Sequence, residues 1–403
     1  LGNKPHVLIA GGGIGGMTAA LALLQRGIDV DIHEQAPELR ELGAGIQLAA
    51  NGTRLLIDLG LRDALEQVVC EAAGKEVRLW NTGQTWKLFD LGQDSIDRFG
   101  APYWLVHRGE LHRILMEAVL ALKPDAIHLN SPVSGFSQTD SRVRLNIAGG
   151  GQAEGCVLIG ADGVHSVLRN QMFGGAKPAF TGLMAWRGLA PMERLDDDLR
   201  RPVGTNWIGP GGHIVTYPIR AGRSLNFVGL VENQDWTRES WTEAGTIEEC
   251  MADFEGWHPK IHSIIRALDT PYRWALISRE PLATWSQGRV SLLGDACHPT
   301  LPFLAQGAIM AIEDGVVLAR CLDRLGHDPV AALKTYEGLR HARTTAIVRG
   351  STANLDRFHN RALADPVKAA DYVESEWQPE KVRVRYDWLF EYDAMRDGEI
   401  TAA

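Results

Sequence analysis

Residues 7–34 read VLIAGGGIGGMTAALALLQRGIDVDIHE, and the order strand, glycine turn, helix, strand in this stretch decides the fold. The apolar run 7–10 predicts a buried strand. Gly11, Gly13 and Gly16 fall on the spacing G-x-G-x-x-G. The first glycine permits a tight turn, the second lets backbone approach a pyrophosphate, and the third lets the helix lie against the strand. A helix over 15–25 points its positive N-terminal end at that pyrophosphate, and Gly27 ends it. Ala20, Leu23 and Val30 sit where the helix must stay thin and the second strand must turn inward. That strand, 29–33, delivers Glu34, whose carboxylate suits both ribose hydroxyls of an adenosine and would repel a 2′-phosphate. The stretch predicts an adenine dinucleotide and leaves NAD against FAD open.

The 403 residues are enough for two or three domains around a large core. Forty-one basic against 50 acidic residues give a net charge of -9, so no nucleic-acid partner is expected. Cys70, Cys156, Cys250, Cys297 and Cys321 are odd in number, widely spaced and without a C-x-x-C pair. They read as reduced thiols of a cytoplasmic protein with no metal site. The first residues lack the pattern of a signal peptide. No apolar run approaches the ~20 residues that span a bilayer, so no membrane partner is expected.

Further along, Pro37 and the run Gly43-Ala44-Gly45 suggest backbone lying close to something flat. A helix is expected over 51–59 with Asn51 as its N-cap and Gly60 at its end. Segments 76–80 and 85–90 form a hairpin. A strand over 103–107 feeds a helix over 108–122, and short strands follow over 126–129, 133–137, 143–147 and 157–159. From 181 to 277 the pattern alternates and is rich in aromatics, which predicts antiparallel sheet, with helices over 248–254 and 260–268. A buried strand over 290–293 precedes two long helices, 306–325 and 330–353, and a charged tail. Lys381, Arg383 and Arg385 in that tail read as a solvated face.

Two later motifs bear on the dinucleotide. In LIGADGVHSVLR (158–169) a strand ends in Asp162-Gly163, and in VSLLGDACHP (290–299) another ends in Gly294-Asp295. A carboxylate at a sheet's carboxyl edge can accept hydrogen bonds from a polyol. FAD carries a ribityl chain; a nicotinamide cofactor has no such polyol between pyrophosphate and ring.

Taken together, these motifs resemble the single-component FAD-dependent aromatic hydroxylases, the family of para-hydroxybenzoate and salicylate hydroxylases, over essentially the whole chain. The resemblance implies an α/β fold. A Rossmann-like FAD-binding domain (1–75, 100–180 and 278–350) is interrupted by an antiparallel-sheet substrate domain (76–99 and 181–277), with a C-terminal helical segment over 351–403. It also implies bound FAD, NADH or NADPH as transient co-substrate, and O₂. The reaction would be hydroxylation of a small aromatic acid through a peroxyflavin. Glu34 would hold the adenosine ribose, Asp295 the ribityl chain, and Asp162-Gly163 the flavin. Arg108, in HRGELHRIL, stands where the family places an FAD-contacting arginine. Gly45, Pro299, Gly307 and Ala308 complete the expected cofactor contacts, the last two at a helix N-terminus suited to the negative charge of reduced flavin.

On the substrate side, His213, Val215 and Tyr217 share one face of HIVTYPIR. Residues alone suggest a hydrogen-bonded sheet histidine. The pattern H-x-x-x-Y-P-x-R-x-G, however, resembles salicylate hydroxylase and the gentisate-forming hydroxybenzoate hydroxylase, which implies that His213 acts as base with Tyr217 beside it. Related enzymes present His, Gln or Tyr in the loop after the G-D motif, where this chain has Pro302 and Phe303. Gln47 stands where a hydroxynicotinate hydroxylase has a histidine. Phe303, Leu304 and Trp186 are expected as apolar walls. A homodimer is expected from the prevalence of such oligomers. The competing readings are a hydroxylase of a larger aromatic natural product and a non-catalytic carrier with the same fold.

Overall fold

The computed structural model describes residues 4–39, 44–175, 178–233, 243–398 and 400; Gly43 lies outside them. Val7–Ala10 is wholly buried, as expected of a strand covered on both faces. It lies in a six-stranded sheet whose order is Ser286–Gln287, Val290–Leu292, Val157–Gly160, Val7–Ala10, Val30–His33 and Ile127–His128. All pairings are parallel except the edge hairpin of the first two strands. Helix Ile14–Leu24 crosses helix Gly307–Leu325 so tightly that a Cβ on Gly315 would sit 2.8 Å from the Ala19 nitrogen.

The second large sheet has seven strands in the order Tyr272–Ser278, Ala179–Pro191, Ser224–Glu232, Gly212–Ile219, Val203–Gly209, Gly74–Leu79 and Thr85–Asp90. It is not antiparallel throughout, because Val203–Gly209 pairs in parallel with Gly74–Leu79. The hairpin 74–90 reaches the sheet from the first half of the chain, so nothing constrains it to enter in the antiparallel sense. One face of this sheet packs Trp186, Trp207 and Phe227 against helices Ile247–Asp253 and Pro259–Ala267 to form a separate core. The other face looks toward the six-stranded sheet.

Two local expectations are corrected. The helix expected from Asn51 runs Ala50–Asp58 with Ala49 as its cap residue. Asn51 lies inside it, buried, and donates from Nδ2 to Gln306 Oε1 (3.0 Å) and Glu313 Oε1 (2.8 Å). A buried tertiary partner outcompeted the capping role. The last long helix, Pro329–Phe358, runs past residue 353 and carries Phe358 and His359 beneath the seven-stranded sheet. Three further pieces follow, Arg361–Ala364, Pro366–Glu376 and Pro379–Phe390. No helix of the described residues is long and apolar enough to cross a membrane.

The glycine turn separates packing from ligand space. A Cβ on Gly16 would lie 2.1 Å from the Gly11 carbonyl oxygen, whereas a Cβ on Gly13 would meet nothing within 4 Å. Gly16→Ala should therefore cost about 1–3 kcal/mol, read as a lower urea midpoint. Gly13→Ala should leave the midpoint of the cofactor-free protein unchanged.

Candidate active site

A cavity of about 420 Å³ opens at the carboxyl ends of the parallel strands and runs under the seven-stranded sheet. Gly13, Gly163 and Gly294 border its floor, each just past a strand end. Gly45, Arg108 and Asp295 border it from the sides, and Gly307 and Ala308 bring the N-terminus of the long helix to it. Asp295 is exposed to this cavity rather than to bulk water. Burial pushes its carboxyl up, against the pull of His298 and Arg108.

Other expected cofactor residues stand behind this surface. Gly11 has φ +107° and backs directly onto Ala161, where a Cβ would lie 2.3 Å from the carbonyl oxygen. Glu34 accepts from the Gly12 nitrogen at 2.7 Å and from the Ala36 nitrogen at 2.9 Å, which holds the glycine turn to the second strand. The Asp162-Gly163 pair divides its work. Gly163 faces the cavity, while Asp162 Oδ2 accepts from the Val167 nitrogen (2.8 Å) and caps the following helix. Along the loop after Asp295, Thr300 and Pro302 border the cavity, with Pro299 directly before them in the chain.

Beneath the cradle lies a buried ionic network that the sequence did not disclose. Arg340 meets Asp314 Oδ1 and Glu313 Oε2 at 2.7 Å each, and all three side chains are fully out of water. Arg343 reaches Glu313 at 2.8 Å. The second Asp314 oxygen accepts from the Gly294 nitrogen (3.0 Å) and contacts His298 Nε2 (2.7 Å). Burial opposes the Asp314 charge, but His298 and Arg340 overcome it and hold the carboxyl down to about 2. Burial likewise opposes charge on His298, and Cys297 and Asp314 reverse it, holding the imidazole well above its usual range. Because burial also pushes the Cys297 thiol up and keeps it protonated, Asp314 is the charge that matters. Cys297, His298 and Asp314 are close enough to hold a cation, yet the ion pair already occupies His298 Nε2 and the Asp314 carboxylate.

In the substrate half, His213, Tyr217 and Gln47 border the cavity together with Phe303 and Leu304. Burial, then His359, pushes His213 well below the usual histidine range, so its ring is neutral at pH 7. Burial raises the Tyr217 hydroxyl. Gln47 Oε1 accepts from the Tyr103 hydroxyl at 2.9 Å. Trp186 is corrected. It lies on the far face of the sheet, in the second core, with its Nε1 donating to Asp253 at 2.6 Å. Alternation along Ala179–Pro191 fixes which face each residue takes, and Trp186 takes the other one.

Lys75 borders the same cavity and was missed. Its ammonium has no hydrogen bond or ion pair among the described residues; its contact is the Tyr103 ring, with 5.7 Å to the centroid. Burial pushes it down to about 8. The available signal was alternation: Lys75 shares a strand face with Val77 and Leu79, so a charge sits in an otherwise apolar row.

This arrangement suits a dinucleotide flavoprotein: open glycines and a helix N-terminus where a diphosphate would lie, a carboxylate where a polyol would lie, and a largely apolar chamber beyond. The chain belongs to the FAD-binding-domain family, whose model matches residues 4–351. It is 38% identical to 3-amino-4-hydroxybenzoate 2-monooxygenase PtmB3 of Streptomyces platensis over 89% of each chain. It is also 38% identical to 3-hydroxybenzoate 6-hydroxylase 1 of Aquipseudomonas alcaligenes, covering 85% of this chain and 86% of that one. Among solved structures, Klebsiella pneumoniae HpxO complexed with FAD and uric acid superposes with a TM-score of 0.82 at 28% identity over 96% of both chains.

Removing one partner of the ionic network leaves uncompensated buried charge. Arg340→Met should cost about 3–5 kcal/mol, measured as a fall in the denaturation midpoint.

Proposed function

We propose that this protein is an FAD-dependent monooxygenase that hydroxylates a small aromatic acid, with NADH or NADPH as electron donor and O₂ as co-substrate. The observation that carries the substrate class is the lone ammonium of Lys75 in an otherwise largely apolar chamber. An aromatic acid satisfies both features. Its ring takes the Phe303, Leu304 and Val215 surfaces, and its carboxylate takes the cation that no group among the described residues neutralises. The names of the relatives, which act on hydroxybenzoates, support the same class.

FAD, when bound and reduced by the nicotinamide donor, supplies the activated oxygen. The chain's own residues do the rest. Gly13 and the N-terminus of helix Ile14–Leu24 receive the pyrophosphate, and Asp295 receives the ribityl hydroxyls. The first-turn N–H groups of Gly307–Leu325 would receive the negative charge of the reduced flavin. His213, neutral at pH 7, accepts a proton from a ring hydroxyl and so raises electron density where oxygen must be added. The apolar walls exclude water that would divert the oxidant.

Purified protein should carry flavin absorbance. One or more hydroxybenzoates should stimulate NAD(P)H oxidation and emerge with an added oxygen. Lys75→Met should raise KM for the acid by roughly 10- to 100-fold, the worth of about 1.5–3 kcal/mol for a hydrogen bond to a charged group. The KM of the corresponding neutral amide should hardly change. Equal losses for acid and amide would remove Lys75 from carboxylate recognition.

A further inference from the structure

His213 faces the cavity with one side and a second histidine with the other. Its Nδ1 lies 2.7 Å from His359 Nε2, with ring centroids 4.9 Å apart. The remaining rings packed on His213 are Phe303 and Phe358, neither of which can take a proton. His359, the cap residue of helix Pro329–Phe358, is itself buried, and its Nδ1 lies 3.6 Å from Glu232 Oε1. Glu232 ends strand Ser224–Glu232, has 41% of its side chain exposed, and pairs with Arg361 at 2.9 Å. Three titratable side chains from three elements therefore connect the chamber to the surface.

We infer that His213, His359 and Glu232 form a proton exit that carries the proton of a ring hydroxyl from the cavity to solvent. The inference rests on the reading of the substrate as a phenolic acid. The Glu232 carboxylate favours the His359 tautomer with hydrogen on Nδ1. That leaves Nε2 to accept from His213 Nδ1–H and leaves His213 Nε2 with a free lone pair. When substrate ionises, its O–H bond breaks and a bond to His213 Nε2 forms. The His213 Nδ1 proton moves to His359 Nε2, and the His359 Nδ1 proton passes to Glu232, which hands it to solvent. A separation of 3.6 Å exceeds a direct hydrogen bond, so the last transfer uses one water or a rotation of the exposed Glu232 side chain. One proton leaves, and protonation of the product by the reverse path resets both tautomers.

The electrostatics require transfer rather than storage. Burial, then His359, holds His213 far below the usual range. Burial holds His359 at about 4, with Arg361 opposing a charge there and Asp356 favouring it. Among the described residues, those two and Glu232 are the charged neighbours of His359. Neither ring keeps an extra proton at neutral pH, so His213 acts as a base only if the proton moves on. His213 touches the substrate in this scheme; His359 acts through it.

The test uses FAD-loaded, oxidised enzyme mixed rapidly with a nitrophenolic benzoate whose phenolate absorbs visible light, in weak buffer containing a pH indicator. Wild type should form the phenolate and release one proton to solvent in the same phase. In His359→Asn both signals should slow by about 10²-fold, with ligand affinity and the flavin spectrum little changed. Imidazole added to His359→Ala should restore part of the rate. Glu232→Gln, a surface change that leaves the fold alone, should delay proton release and make it depend on buffer concentration. Wild-type rates in folded His359→Asn, or in Glu232→Gln should the first variant fail to fold, overturn the exit. If wild type binds no phenolic acid, the substrate reading falls first and the exit with it.

Discussion

The contact between Arg340 and the paired carboxylates Glu313 and Asp314 is the constraint on which the cofactor half depends. Three charges lie wholly out of water at ion-pair distance. Such a group does not by itself favour folding, because desolvating the ions offsets their attraction. Its effect is positional. Asp314 can keep its charge only by facing Arg340 on one side and the Gly294 nitrogen and His298 on the other. The loop that presents Asp295 to the cavity is thereby tied to the two longest helices. Asn51 ties Glu313 and Gln306 to a third helix, so the start of Gly307–Leu325 is held from two directions.

The substrate half depends on alternation in one sheet. His213, Val215 and Tyr217 point to the cavity, while Ile214 points to the core on the far side. The same rule places Lys75 in the chamber and moves Trp186 out of it. A period of two turns a string of sheet residues into two unlike surfaces, and one of them lines a chamber that Lys75 borders with no ion pair among the described residues. His359 reaches that sheet only because the helix before it runs to Phe358, five residues beyond the expected end at 353.

Local signals made much of this legible. The glycine spacing, the apolar strand before it and the acidic residue after the second strand are short-range features, and each marks an element whose shape follows from its own residues. The shared strand face of His213 and Tyr217 was visible in the alternation, but their place in the pocket came from the resemblance to salicylate-type hydroxylases. Lys75 lay one residue before the strand expected over 76–80, and the observed start at Gly74 puts it on the chamber face. Trp186 failed for a different reason. Proximity in sequence to a motif does not say which way a turn or a strand presents a side chain.

The sequence by itself determined the dinucleotide turn, the two kinds of sheet and the carboxylates that end the strands, because backbone geometry and side-chain periodicity are local. Only the tertiary structure decided which buried charges neutralise one another, that Lys75 borders the chamber, and that His213 meets His359. Those residues lie far apart in the chain, from 16 positions for His298 with Asp314 to 146 for His213 with His359. Their contacts exist because packed helices and sheets bring them together, and no spacing in the chain announces them.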